Sequence, residues 1–210
     1  MSAVAHIKDY KTGKFFRDDF RGDISWNGYE HNVLLRNEGT DANGTLQFTD
    51  TAMATGSDDI RDARGLAIAD FDNDGALDIA TNNNPGDSGD ASKSRAMLLH
   101  NNVGSKRNWL AVELEGTQSN RDGVGATVTI EAGGEKQLRL LSAGSSFASQ
   151  NGARLYFGLG DKKQVDALIV RWPRGLVERF EKIGDKTIAT HQLIRIKEGQ
   201  GIQIAALPAT

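Results

Sequence analysis

Asp70-Phe71-Asp72-Asn73-Asp74-Gly75-Ala76-Leu77-Asp78 places carboxylates at positions 1, 3, 5 and 9 of one short loop, with glycine at position 6. Like charges held this close repel and resist joint ionisation unless a cation lies among them. Ca²⁺ takes about six to eight oxygens at roughly 2.3–2.6 Å, and this loop can supply them. Asp70, Asp72, Asp74 and Asp78 offer side-chain oxygens and Ala76 its backbone carbonyl, while Gly75 permits a sharp turn. Ca²⁺ is therefore the expected cofactor, and these five residues the expected ligands.

The flanks decide the fold. A helix–loop–helix calcium site needs a bidentate Glu at position 12, where this chain has Thr81. Leu66-Ala67-Ile68-Ala69 before the loop and Leu77-Asp78-Ile79-Ala80-Thr81 after it alternate apolar with small or polar residues, the period of a strand. The site reads as a calcium loop between two strands.

Working outward, the rest of the chain also reads as β. Gly is abundant at 24 of 210 residues, Pro is scarce at 3, and no long stretch repeats at helical period. Strands are expected over 32–36 and 46–49 around Asn43-Gly44, then over 64–69, 77–81 and 96–100. Beyond a polar linker at 101–107 the alternation becomes more regular: Leu110, Val112 and Leu114, then Val128 and Ile130. Gly133-Gly134 turns the chain into 136–141, Pro173-Arg174-Gly175 joins 165–172 to 176–180, and 193–197 closes the set. The expected fold class is all-β: partial β-propeller-like repeats over 1–104, then an antiparallel sandwich or barrel over 105–210.

Arg64 to Ile79 resembles an FG-GAP or VCBS repeat, the calcium-binding blade of integrin-α-like propellers. Residues 32–37 with Phe48-Thr49-Asp50 resemble the closing strands of a neighbouring repeat. The C-terminal half is similar to the ASPIC/UnbV domain through Asn108-Trp109-Leu110, Ser119 to Ala126, Ala143-Gly144-Ser145, Ser149-Gln150, Phe157-Gly158-Leu159-Gly160 and Arg171 to Gly175. The resemblance implies metal ligands at Asp70, Asp72, Asp74, Ala76 and Asp78, and carries over no catalytic residue. Propellers close with about four to eight blades, whereas this chain holds one full repeat and part of another. Open strand edges need covering, so a protein partner or a homo-oligomer is expected.

Composition narrows the function classes. A formal net charge of −3, without clustered Lys and Arg, gives no nucleic-acid footprint. No apolar run approaches the roughly 18 residues of a membrane span. Absence of cysteine excludes disulfides, zinc–thiolate sites and Cys nucleophiles. A calcium loop points to an extracellular or periplasmic setting; the start of this chain, without the apolar core of a signal peptide, is expected of a cytoplasmic protein or of one whose leader is missing from this sequence.

The leading expectation is a calcium-binding, non-catalytic β module for protein or glycan interaction, alone or as a subunit of a larger assembly. The alternative is an enzyme acting on carbohydrate or peptide, with its site near Trp26, Glu30 and His31 beside Tyr29. Arg21-Gly22-Asp23 is read as a chance tripeptide. Ser119 to Gly123 is read as a turn, Phe157 to Gly160 as a bulge or close sheet contact, and Asp161 and Asp166 as partners of Lys162, Lys163 or Arg171. The four histidines, His6, His31, His100 and His191, lack the i, i+4 spacing of a helical zinc site and are read as structural or surface groups. Gly144 to Gln150 lacks the Gly-x-Ser-x-Gly elbow of a serine nucleophile.

Overall fold

A computed structural model describes residues 31–61, 63–83 and 96–207. These residues are all-β apart from one turn of helix and one 3₁₀ turn. The chain divides into two units, Met1–Gly65 with Ala80–Leu99, and Leu66–Ile79 with His100–Thr210. The acidic segment Asp70–Asp78 thus belongs to the same unit as the C-terminal half.

In the first unit β1 (Leu35–Thr40) pairs antiparallel with β2 (Leu46–Asp50), with a bulge between Asn37 and Gly39. Asp41 builds the turn: its carboxylate accepts the N–H groups of Asn43 and Thr45, both at 2.9 Å, and Gly44 takes a positive φ of 79°. A helical turn, α1 (Ala52–Thr55), follows and ends on Gly56 in the left-handed conformation. Residues divided between the two units make up β3 (Ala63–Ala69), β4 (Asp78–Asn83) and β5 (Met97–Leu99), a three-stranded sheet in that order.

The second unit is an open two-sheet sandwich rather than a closed barrel. One sheet has β7 (Thr127–Ala132), β8 (Glu135–Leu140), β11 (Ala167–Arg171) and β12 (Val177–Phe180) in the order β12-β11-β7-β8. The other has β6 (Asn108–Glu115), β9 (Leu155–Gly160), β15 (Gln192–Lys197) and β16 (Gly201–Ala205) in the order β16-β15-β6-β9. Short strands β10 (Gln164–Val165), β13 (Lys182–Ile183) and β14 (Lys186–Ala189) make a third, small sheet. Not every pair is antiparallel: β15 runs parallel to β6, with Gln192 opposite Leu110 and Lys197 opposite Glu115.

Alternation explains the core. Leu110, Val112 and Leu114 of β6 face Val128 and Ile130 of β7, Leu168 and Val170 of β11, and Trp172 within one buried cluster. Burial of each large side chain stabilises by about 2–3 kcal/mol before entropy is counted. The Trp172 indole N–H donates to Glu178 at 2.7 Å, so the ring is buried without an orphaned polar group. β6 is also covered on its other face, where Trp109 and Ala111 pack with Tyr156 and Leu193.

The turns follow the residues expected of them. Gly133 and Gly134, at φ of 56° and 80°, join β7 to β8. Residues 119–123 form a turn, closed by Gly123 N–H on the Asn120 carbonyl at 2.9 Å. A bulge falls where β9 passes Asn108 and Trp109. Asp161 and Asp166 find other partners than the neighbouring cations: Asp161 pairs with Arg107 at 2.6 Å, and Asp166 accepts the Gly133 N–H at 2.8 Å. No helix among the described residues is long and apolar enough to cross a membrane.

Candidate metal centre

The acidic loop is wound by its own carboxylates. Asp70 accepts the N–H groups of Asp74 and Gly75 at 3.1 and 3.0 Å. Asp72 also accepts from Asp74 at 3.2 Å, and Asp74 accepts from Ala76 at 2.8 Å. Such side-chain-to-backbone bonds are what Asp supplies in tight turns. Asn73 and Gly75 both take positive φ, 59° and 93°, and bend the loop back on itself. A Cβ on Gly75 would overlap the Trp109 indole, so glycine is needed for space as well as for conformation.

Asp78 stands at the start of β4, buried at 1% exposure, and accepts from Phe71 N–H at 3.2 Å and Asn101 N–H at 2.7 Å. Ala76 is buried as well. His100, just past β5, brings Nε2 to 2.8 Å from Asp72, while Nδ1 lies 2.9 Å from the Asn102 side chain.

Two convergent groups result. One oxygen each from Asp70, Asp72 and Asp74 lie within 4.8 Å of one another, and so do ligand atoms of Asp72, Asp78 and His100. Burial pushes the Asp70 carboxyl above its ordinary value and the Asp74 charge adds to this, against hydrogen bonds from the loop backbone. The hydrogen bond from His100 holds Asp72 below its ordinary value, and the same contact raises His100. The Asp70–Asp72–Asp74 group is made of oxygen donors, the kind a hard cation takes, while the second group adds the imidazole of His100.

All five expected ligands therefore lie on one loop of one unit. His100 and Asn101 join them without having been singled out by spacing, because their approach is tertiary. Behind the loop, Arg154 donates to the Asn73 side chain at 2.9 Å. The Tyr156 hydroxyl is buried and makes no hydrogen bond of normal geometry. Burial pushes it up to about 12, and the nearby Asp70 charge acts in the same direction.

The other described sequence candidates are not among the ligand atoms of these groups. Trp26, Tyr29, Glu30, His6 and Arg21-Gly22-Asp23 lie outside the described residues. His31 is exposed and bonds the Asp58 carbonyl at 2.9 Å. His191 packs edge-on against Trp109 and contacts the Asn108 side chain at 2.9 Å. Ser149 is occupied structurally, its hydroxyl donating to the Leu66 carbonyl at 2.6 Å.

Residues 116–203 match the family model described as ASPIC and UnbV. The match begins directly after β6 and ends within β16, so it spans most of the sandwich and less than half of the chain. No curated protein matches the chain.

Proposed function

We propose that this chain is a calcium-stabilised, non-catalytic β module that binds a partner, a protein or a glycan. The observation that carries the reading is the convergence of Asp70, Asp72 and Asp74 oxygens within one loop. Four carboxylates on nine residues repel at neutral pH, and a divalent cation turns that repulsion into stability. Asp70, Asp72, Asp74, Asp78 and the Ala76 carbonyl would hold the ion. His100 would give up its contact with Asp72 or remain beside it as an outer partner. The likeness of residues 64–79 to FG-GAP and VCBS repeats supports the same ion and an extracellular or periplasmic setting.

Partner binding is supported by the exposed apolar side chains of the first unit. Leu35, Leu46 and Phe48 fall on one face of the β1–β2 pair, and all three are more than half exposed. Calorimetric titration with Ca²⁺ and Mg²⁺, combined with thermal melts in chelator, tests the metal. At about 100 times Kd, bound Ca²⁺ adds about 2.7 kcal/mol to stability. Asp74→Ala is expected to lose most of the binding heat and most of that stabilisation. Absence of calcium heat in the wild type, with an unchanged melting temperature in chelator, would remove the metal from the proposal.

A further inference from the structure

The second unit holds a cavity of about 190 Å³ between the end of β8 and the start of β9. Its lining includes two arginines, Arg139 and Arg154, and no acidic residue. Tyr156 and Asn151 contribute polar groups, and Ile68 and Leu155 are among its apolar residues. Neither arginine forms an ion pair among the described residues. Arg139 donates to the Leu138 carbonyl at 3.0 Å and lies over the Phe157 ring at 5.4 Å, whereas Arg154 donates to Asn73. By contrast Arg107, Arg179 and Arg195 each have a carboxylate partner.

Each guanidinium has five N–H donors in a planar fork, so both arginines keep donors available after these bonds. The carboxamide oxygen of Asn151 is taken by the Ile68 N–H at 3.0 Å, which leaves its NH₂ as a donor. The Tyr156 residue is about nine-tenths buried, and its hydroxyl lies within reach of the Asp70 carboxylate and the Arg154 guanidinium. A wall with two cations, neutral donors and no anion is arranged to accept negative charge.

We propose that this cavity binds the carboxylate of a small sugar acid, with Arg139 and Arg154 on the carboxylate and Tyr156 and Asn151 donating to ligand oxygens. Its volume is below the roughly 300–1,000 Å³ of drug-sized pockets and suits one monosaccharide unit. The adjacent acidic loop disfavours a phosphate dianion relative to a monoanion. The leucine and isoleucine surface matches the C–H faces of a pyranose ring. The carboxylate belongs either to a free uronate or to the terminal uronate of a glycan. This inference rests on the reading of the chain as a binding module but not on the presence of the ion.

The full chain is titrated with glucuronate, with an oligosaccharide ending in glucuronate, with glucose and with inorganic phosphate, each in calcium and in chelator. Glucuronate is expected to bind at least about tenfold more tightly than glucose or phosphate, the carboxylate being the group the guanidiniums hold. Arg139→Gln and Tyr156→Phe are each expected to weaken it by about tenfold. Tyr156→Phe keeps the ring packing and removes only the hydroxyl, and a cooperative melt of the variant shows that its fold is kept. Binding of the oligosaccharide as tightly as glucuronate assigns the glycan terminus, and binding of glucuronate alone assigns the free acid. Either result supports the site. No binding of any acid, equal binding of glucose or phosphate, or full affinity in both variants overturns it. Glucuronate binding without calcium heat would sink the metal alone, and calcium heat without glucuronate binding would sink the cavity alone.

Discussion

Gly75 meets two demands that a single larger residue cannot meet together. Its φ of 93° is costly for any residue with a Cβ, and the indole of Trp109 fills the space that a Cβ needs. Gly75→Ala is therefore expected to cost about 3 kcal/mol, from left-handed strain and forced displacement of the ring together. Urea unfolding checks this, and an unchanged midpoint would contradict it. Glu198 shows the opposite economy, a buried charge fully satisfied. Its carboxylate accepts from the N–H groups of Thr117, Gln118 and Ser119 at 2.9, 2.8 and 2.7 Å, and from the Ser119 hydroxyl at 2.8 Å. Burial alone would raise this carboxyl; the hydrogen bonds outweigh it and hold the group down to about 2. A carboxyl depressed in the folded state stabilises above its ordinary 4.5 and loses that contribution as pH falls from there towards 2. Glu198→Gln is expected to lower stability at neutral pH by about 2 kcal/mol and to flatten the loss over that acid window. Denaturation midpoints at several pH values decide it; parallel wild-type and variant curves would show that Glu198 is not the titrating group.

At the scale of elements, the edge of β3 shows how an exposed ladder is satisfied without another strand. Within the second unit the Ile68 N–H donates to Asn151, the Gly152 N–H donates to the Ile68 carbonyl at 2.9 Å, and Ser149 bonds Leu66. Residues 149–152 thus stand where a neighbouring strand would be, which blunts the edge. The β1–β2 pair has no such cover among the described residues, and a lone two-stranded hairpin is marginal in water. A second copy, pairing hairpin with hairpin, would bury Leu46 and Phe48 and extend the ladder. Light scattering at micromolar concentration is expected to show a homo-oligomer, and Leu46→Lys with Phe48→Lys to shift it to monomer. A monomeric wild type whose hairpin resists proteolysis would contradict that.

Across the whole molecule, legibility in the sequence tracked how local each cause was. Gly133-Gly134 announced the β7–β8 hairpin because two adjacent positive φ values need glycine there. The Asp70–Asp78 loop was readable because its turn bonds run between residues at most seven apart. β9 was missed as a strand: its two glycines read as breakers, and burial on both faces hides the alternation in Leu155-Tyr156-Phe157. The expected strand over 165–172 is split at Asp166, whose backbone N–H bonds Glu131 at 2.7 Å, a tertiary choice with no local signal. His100 reaches Asp72 across 28 residues, and no spacing rule encodes that.

The parallel union of β6 with β15 has a consequence for how the chain is made. Glu113 and Arg195, ion-paired across the two strands, are 82 residues apart in sequence. During synthesis β6 is complete long before its central neighbour β15 exists, and the β7–β8 and β11–β12 hairpins can form first. A nascent chain at that stage carries the apolar face of β6 beside an unpaired edge, the combination most prone to pairing with the wrong chain. The sandwich is therefore a fold of high contact order, sealed late and all at once by one strand. Its period of greatest vulnerability on the ribosome lies between Glu115 and Gln192.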